Sequence, residues 1–393
     1  MYRVSIPRVL KFSEDESVLV LEDLGKWMKP LALWVCPSTA STAEPPPSSE
    51  MCASVGTRLG GFLASVHCDP TLLSKSQTLT ADGKPWFENT EADEAVRTGI
   101  VGRILPILQA HFGSEMNGKE KIAEIISQDF EQSFLNARHP SPSSTPSGGV
   151  TKSMFSVGDL WVGSFLVGSP PISDLRSNPN FDANTRVELG FIDWEFASPA
   201  GTGRDMAQLT ASLYLYSTSS TWSHLYRMAT DAITSSFTPR AVALDFETCP
   251  WISEGGARTA VDEGLGGQSA IRTLRRALLR AYAHKVKEYP DHAWFVDEGC
   301  RFGKERLAVI RCIWVAFGRE VIFNAIDLKF KFVEFFATNA GGDEEMKAWQ
   351  REMVEVGCWY ASMAGQKPDR EFEEIVRKEG VLREIYTTSE SSQ

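Results

Sequence analysis

Two aspartates that could act as reactive carboxylates lie at the ends of neighbouring extended segments of the sequence. Asp159 lies in GDLWVGS, just before the apolar run 165–167, and Asp193 ends the run GFID. If the two runs pair as a hairpin, both carboxylates emerge at one edge of a sheet. Carboxylates that share a cleft can perform acid–base chemistry or hold a divalent cation. Taken singly, each aspartate is more often a turn or cap residue, so a structural role stays open.

The order of four motifs along the chain is a more specific signal than either aspartate taken alone. The sequence reads VLVLEDLG (18–25), LGGFLASVH (59–67), GDLWVGS (158–164) and FIDWEFASPAGTGRDMAQL (191–209). In this order the motifs resemble the aminoglycoside phosphotransferase and choline-kinase-like family, which has a protein-kinase-like fold. The GDLWVGS loop is similar to that of methylthioribose kinases. The IDWE segment is similar to that of fungal small-molecule phosphotransferases.

The resemblance implies an ATP- and Mg²⁺-dependent kinase that phosphorylates a hydroxyl of a small molecule. Asp159 matches the catalytic aspartate, which accepts the proton of the attacking hydroxyl. Asp193 matches the residue that holds Mg²⁺, and Ser164 matches the position of a second metal ligand. The residues expected to contact ATP are Glu22, Asp23 and Leu24 of the linker between lobes, and Trp194 and Glu195. Asp205 is expected to brace the catalytic loop, and His67 to be a structural hydrogen-bonding residue.

The sequence departs from the family in three places. Val157 stands where the family usually has His, and Ser164 stands where most members have Asn. Residues 1–17 contain no glycine, and Lys11 is their single lysine, although a glycine-rich strand pair and a phosphate-binding Lys would precede VLVLEDLG. We therefore expect a truncated N-terminal lobe, whose true start could lie upstream. The alternatives are a catalytically inactive, pseudokinase-like binding module, or a helical domain in which both aspartates only form turns.

Composition excludes several classes of function. The net charge of −11 comes without a long basic run, which argues against nucleic acid and anionic membranes as partners. The seven cysteines form no CxxC pair, which fits a reducing compartment. No signal peptide is recognisable, and Arg311 interrupts the most apolar run, 307–317. These features thus indicate a cytoplasmic protein, and the family resemblance implies that its partner is a small-molecule substrate.

The elements that must position these residues follow from periodicity and turn signals. We expect strands at 4–10 and 17–21, a helix capped by Ser48 or Ser49, and strands on either side of an acidic loop. Further helices are predicted near 92–112, 119–136, 204–217, 221–236, 268–288, 301–327, 343–364 and 370–384. Insertions are expected at 36–50, 137–150 and 239–267. Arg275 and Arg276 are interpreted as part of a solvated helix face.

The predicted fold class is α+β. Residues 1–25 form the remnant of an N-terminal lobe with the linker between lobes. Residues 26–393 form a protein-kinase-like C-terminal lobe, which is mostly helical.

Overall fold

Short strands lie mainly in the first half of the chain, and helices make up most of the remainder. The computed structural model describes residues 4–13, 18–35, 47–76, 78, 90–113, 118–135, 153–168, 187–194, 197–201, 203–231, 266–289, 296–297, 302–328, 340–378 and 381–388. Most of the predicted insertions, and Glu195, lie outside these residues.

The strands are β1 (Val9–Ser13), β2 (Val18–Leu21), β3 (Met28–Pro30), β4 (Ser153–Ser156), β5 (Phe165–Gly168), β6 (Glu188–Phe191), β7 (Ser198–Gly201), β8 (Val296–Asp297) and β9 (Thr387–Thr388). The α-helices are α1 (Leu31–Val35), α2 (Ser49–His67), α3 (Pro70–Ser76), α4 (Thr90–Gly99), α5 (Ile104–Phe112), α6 (Lys119–Asp129), α7 (Arg204–Asp231), α8 (Gly266–Val286), α9 (Lys304–Ile326), α10 (Ala340–Gln366), α11 (Asp369–Lys378) and α12 (Arg383–Tyr386). Tighter or wider helical turns span Val101–Arg103, Phe130–Leu135 and Val162–Ser164. The α+β composition agrees with the sequence, and the protein-kinase-like lobe stays a prediction.

Two strand pairings place two loops side by side. The strands β3, β5 and β6 form a sheet in that order, and β4 pairs with β7. Phe165 pairs with Phe191 in the first sheet, and Ser156 pairs with Ser198 in the second. The chain therefore passes from β4 to β5 through residues 157–164 and from β6 to β7 through residues 192–197. The predicted hairpin of β5 and β6 is confirmed, and it brings the two loops to the same end of the sheet.

The first predicted strand is divided between two partners. β1 begins at Val9 and pairs with β2, whereas the prediction was a strand over 4–10. Ser5 instead binds the edge of β6: its N–H donates to Leu189 O at 2.7 Å, and its carbonyl accepts from Phe191 N–H at 2.9 Å. The hairpin therefore begins later than the apolar pattern indicates.

Helix α2 packs closely against α8 and also contacts β4, the strand that leads into the first loop. The Ser48 hydroxyl accepts from Met51 N–H at 3.2 Å, which confirms Ser48 as the helix cap. At Gly60, a Cβ would collide with the carbonyl oxygen of Leu278 and lie 2.9 Å from the backbone nitrogen of Tyr282. Glycine therefore permits the two helix backbones to approach.

Helix α7 is longer than predicted because its serines and threonines do not end it. The sequence suggested a break between 217 and 221, where STSST occurs. The Thr218 hydroxyl donates to Leu215 O at 3.1 Å, and the Ser219 hydroxyl donates to Tyr216 O at 3.3 Å. Hydroxyls bonded back to the preceding turn satisfy their hydrogen-bonding needs inside a helix, and α7 continues without interruption.

One arginine of the helical region is buried and another is half-buried. Arg275 is only 4% exposed, so its assignment to a solvated face is wrong. It lies on α8, which packs against α2, α7 and α12 and therefore buries more than one face. Arg311 is held by Lys367 O at 2.7 Å and Asp369 Oδ1 at 3.0 Å, with its guanidinium over the Phe372 ring.

Within the described residues, no helix has both the length and the apolarity needed to cross a membrane.

Candidate active site

The loop from β4 to β5 is held by the carboxylate of Asp205, in the first turn of α7. Its Oδ1 accepts from the Ser156 hydroxyl at 2.6 Å and from Gly158 N–H at 3.1 Å. Its Oδ2 accepts from Val157 N–H at 2.6 Å. Because two of these donors are backbone amides, Asp205 fixes the path of the main chain just before Asp159. This is the bracing role expected from the sequence.

His67 lies on the other side of the same carboxylate. Its Nε2 is 3.1 Å from Asp205 Oδ2, and its Nδ1 is 2.9 Å from the hydroxyl oxygen of Tyr282. An ionised carboxylate only accepts hydrogen bonds, so Nε2 carries a proton and donates it. All three side chains are buried. The network joins α2, α7 and α8 beneath the loop, in agreement with a structural role for His67.

The electrostatics of this network favour an ionised Asp205. Burial by itself raises the pKa of Asp205, but the hydrogen bond and charge of His67, with the bonds from Ser156 and Val157, outweigh burial and hold the pKa below its ordinary value of 3.8. Burial, with the neighbouring Cys68 and Asp205, raises the pKa of Tyr282 well above its ordinary value. At neutral pH the carboxylate is charged and the phenol is neutral. Hydrogen bonds to a charged acceptor are shorter and stronger than neutral ones.

The backbone before Asp159 needs a glycine. Gly158 has φ of 88°, in the left-handed region that side chains disfavour. Val157, at the position of the family's histidine, is fully buried, and its N–H is bound by Asp205. The loop therefore keeps a defined main-chain path without the histidine.

Asp159 itself is held by a residue that the sequence reading did not identify. Gln208, in α7, donates from Nε2 to Asp159 Oδ1 at 2.9 Å. Its Oε1 accepts from Leu160 N–H at 3.1 Å. Gln208 lies three residues after Asp205, on the same face of the helix, and this spacing is the signal that could have revealed it.

Ser164 joins the two loops. Its hydroxyl donates to Asp159 O at 3.1 Å and accepts from Trp161 N–H at 3.3 Å, and its side chain is fully buried. Its carbonyl accepts from Ile192 N–H at 2.9 Å. The end of the Asp159 loop is thus bonded directly to the residue before Asp193. In this arrangement the Ser164 hydroxyl is engaged inside the loop.

Asp193 occupies an unusual backbone conformation at the start of the second loop. Its φ is 67°, and it is the one non-glycine residue with positive φ in the described part of the chain. Aspartate and asparagine tolerate this region better than most residues, but it still costs free energy. Such outliers cluster at functional sites. This outlier lies beside the loop that carries Asp159.

Trp194, which follows, packs inward. Its ring meets Phe191 edge-on, with centroids 4.5 Å apart, and contacts the small apolar cluster of Val66, Phe155 and Ala197. Its Nε1 is buried and has no hydrogen-bond partner among the described residues. The described contacts of Trp194 are thus apolar ones, and they anchor the chain immediately after Asp193.

The expected linker residues lie between β2 and β3. Glu22 holds Arg8, with oxygen–nitrogen distances of 2.9 and 3.0 Å, and its own N–H donates to Arg8 O at 2.9 Å. Asp23 accepts from Gly25 N–H at 2.8 Å, and Leu24 lies against Gly190 of β6. The segment therefore contacts the sheet that carries the two loops, but the amide of Glu22 is already bonded within the hairpin.

The described residues contain no group of three or more His, Cys, Asp or Glu side chains placed to hold a metal. A magnesium ion bound together with nucleotide phosphates uses only one or two protein carboxylates, so Asp193 suits such an ion as a hard-oxygen ligand. Glu195 lies outside the described residues. Tyr282 could not be found from sequence, because it is 215 positions from His67.

Comparison with known proteins gives distant relatives. No protein-family model matches the chain. The chain is 26% identical over 225 residues to a 4-hydroxytryptamine kinase of Psilocybe cyanescens, covering 54% of this chain and 48% of that protein. It is 38% identical over 64 residues to a 4-hydroxytryptamine kinase of Psilocybe cubensis, 16% of each protein. The chain thus aligns with no more than about half the length of these relatives. Both of these proteins are named as kinases of 4-hydroxytryptamine.

Proposed function

We propose that this chain is the core of a small-molecule kinase, which transfers the γ-phosphoryl group of ATP to a hydroxyl with the help of Mg²⁺. The observation that carries the proposal is the pair of bonded loops, with Asp159 on one and Asp193 on the other. The similarity to two proteins named as kinases supports the same function. It offers no support for an inactive binding module. The proposed fold is the C-terminal lobe of a protein-kinase-like enzyme.

In this mechanism Asp159 is the base. The acceptor oxygen attacks the γ-phosphorus, its proton passes to the Asp159 carboxylate, and ADP leaves. Asp205 and His67 hold the loop so that this carboxylate keeps its place. A positioned general base is worth about 10²–10⁴ in rate.

Asp193 would hold the magnesium ion, which neutralises charge on the phosphates. The Ser164 hydroxyl oxygen already accepts a hydrogen bond from Trp161 N–H. It would therefore have only its second lone pair with which to bind the ion. Glu22, Asp23, Leu24, Trp194 and Glu195 remain the proposed contacts to the nucleotide, with the carbonyl groups of the linker as the acceptors for the adenine amino group.

We take an aromatic hydroxyl on an amine-bearing substrate as the first acceptor class to test, because both relatives are named for 4-hydroxytryptamine. The purified chain is mixed with ATP, Mg²⁺ and 4-hydroxytryptamine, and phosphorylated product is measured by mass spectrometry. Asp159→Asn keeps an oxygen that can accept from Gln208 but removes the base. We expect it to lower kcat by about 10²–10⁴ and to leave ATP binding intact.

Asp69→Asn is the matched control. Asp69 caps α3 by accepting from Thr71 N–H at 2.7 Å, and asparagine can keep that bond.

In a parallel experiment, ATP with Mg²⁺ should raise the thermal midpoint of the wild-type chain and raise it less in Asp193→Asn. The proposal is contradicted if the wild-type chain shows neither transfer nor Mg²⁺-dependent stabilisation at millimolar ATP. Stabilisation without transfer to any hydroxyl acceptor would instead indicate a nucleotide-binding module.

A further inference from the structure

Gln208 extends the support that Asp205 gives to the loop. The two side chains project from the first turns of α7, and together they bind consecutive loop residues from Ser156 to Leu160. Asp205 binds the main chain before Asp159. Gln208 binds the Asp159 side chain itself and the main chain after it. The carboxylate is therefore fixed relative to its own backbone on both sides.

The chemistry of this contact requires an amide. Leu160 N–H can only donate, so it must face the oxygen of Gln208, and the Asp159 carboxylate can only accept, so it must face the nitrogen. The two partners thus fix which way the amide group points. A carboxylate at position 208 would keep the bond to Leu160 and lose the bond to Asp159, whereas a methionine would lose both. These two replacements separate the role of Gln208 in the loop from its role at the reacting carboxylate.

We propose that Gln208 is a positioning residue that sets the rotamer of Asp159, so that the carboxylate meets the acceptor hydroxyl in line with the phosphoryl group. This inference rests on the proposed function, because it gives the rotamer a catalytic purpose. A hydrogen bond from the amide to a charged carboxylate is strong enough to select one rotamer. A misplacement of about 1 Å at a reacting group can lower the rate by roughly 10²-fold.

The test compares Gln208→Glu and Gln208→Met with the wild-type chain at pH 8, well above the ordinary pKa of a carboxyl group. We expect kcat to fall by about 10- to 100-fold in both variants, with the KM values for ATP and acceptor nearly unchanged. Gln208→Glu should be at least as impaired as Gln208→Met, because its carboxylate repels Asp159. If Gln208 only stabilised the loop, Gln208→Glu would be the milder change, since it keeps the bond to Leu160, and this ranking would overturn the proposal.

The matched control is Gln128, whose Nε2 donates to Glu124 Oε1 at 2.8 Å on the exposed face of α6. The Glu and Met replacements there should leave kcat unchanged.

Crystal structures of the wild-type chain and of both Gln208 variants give a readout that needs no activity. We expect Asp159 to change rotamer while the main chain of 156–158 stays in place. An unmoved Asp159 overturns the positioning role even if kcat falls. A wild-type chain without transferase activity, but with Asp159 reoriented in the variants, would reject the proposed function and retain the contact that fixes the rotamer.

Discussion

At the scale of single residues, the candidate site depends on carboxylates in three different environments. Asp205 is buried and accepts from several donors, Asp159 is half-buried and held by an amide, and Asp193 lies in a left-handed backbone conformation. The same side-chain type thus braces a loop at Asp205, and under the proposed function it accepts a proton at Asp159 and holds an ion at Asp193. The surroundings of each carboxylate decide its role.

The backbone of Asp193 should favour glycine over alanine. Because φ is 67°, Asp193→Gly should be more stable than Asp193→Ala by about 1 kcal/mol, measured as the free energy of unfolding in urea. Asp327 is the matched control, with φ of −77° at the end of α9. There the order should reverse, because glycine only adds entropy to the unfolded chain. Equal stabilities of the two Asp193 variants would show that the position carries no backbone strain.

Asp205 should dominate the acid sensitivity of the site. Asp205→Asn leaves its donors and His67 without a charged acceptor, so we expect a loss of about 3–5 kcal/mol in the free energy of unfolding at pH 7. The pKa of Asp205 in the folded chain lies below its ordinary 3.8, so its stabilisation is complete above that pH and disappears as the pH falls through the folded pKa. The difference between wild type and variant should therefore be constant from pH 7 to 5 and shrink below about pH 4.

Urea unfolding across this pH range checks the prediction. Glu124→Gln is the control, because Glu124 is an exposed carboxylate whose pKa is lowered by its hydrogen bond to Lys121. We expect the free energy of unfolding to change little in this variant, because solvent screens an exposed ion pair. A difference between wild type and Asp205→Asn that persists undiminished to pH 3 would mean that another group is responsible.

At the scale of elements, the contact of α2 with α8 supports the loops from below. In Gly60→Ala the new methyl group would meet the backbone of α8, which cannot move aside as a side chain can. We expect a loss of about 1–3 kcal/mol in the free energy of unfolding. The shift of α8 would also separate Tyr282 from His67. Gly99→Ala in α4 is the control, because nothing lies within 4 Å of its added Cβ. A neutral Gly60→Ala would show that the two helices are not closely packed.

The sequence predicted those elements whose signals are local. Ser48 caps α2 as expected, and the strands around Asp159 and Asp193 pair as the apolar runs indicated. The break expected in α7 is absent because Thr218 and Ser219 bond back to the helix. Arg275 is buried because α8 has neighbours on several sides, which a helical pattern alone cannot reveal. Side-chain partners distant in sequence, such as Tyr282 for His67, needed the tertiary structure.

At the scale of the whole molecule, exposed apolar surface is concentrated at one place. Among the described residues, the large apolar side chains that are exposed lie between Ile6 and Leu33, mostly on β1 and β2. Most of the buried apolar side chains among the described residues form one core that runs through the helices. A two-stranded hairpin is marginally stable in water by itself.

Replacing the hairpin's apolar residues should change the surface more than the stability. Leu10 is 61% exposed and Leu19 is 55% exposed. We expect Leu10→Thr with Leu19→Thr to reduce binding of a hydrophobic dye and to change the free energy of unfolding by less than about 0.5 kcal/mol. Leu59→Thr, at a fully buried position of α2, should instead cost at least about 2 kcal/mol. A large destabilisation by the hairpin variant would show that these side chains are covered by another part of the chain.

The support of the Asp159 loop by α7 has a practical consequence for protein engineering. The amide of Val157 and the carboxylate of Asp205 are 48 positions apart in the sequence. Anyone who transplants the loop into a different scaffold must also bring the beginning of this helix, with Asp205 and Gln208 at their original spacing. A graft of the contiguous segment alone would carry Asp159 and leave behind the two side chains that bind its loop.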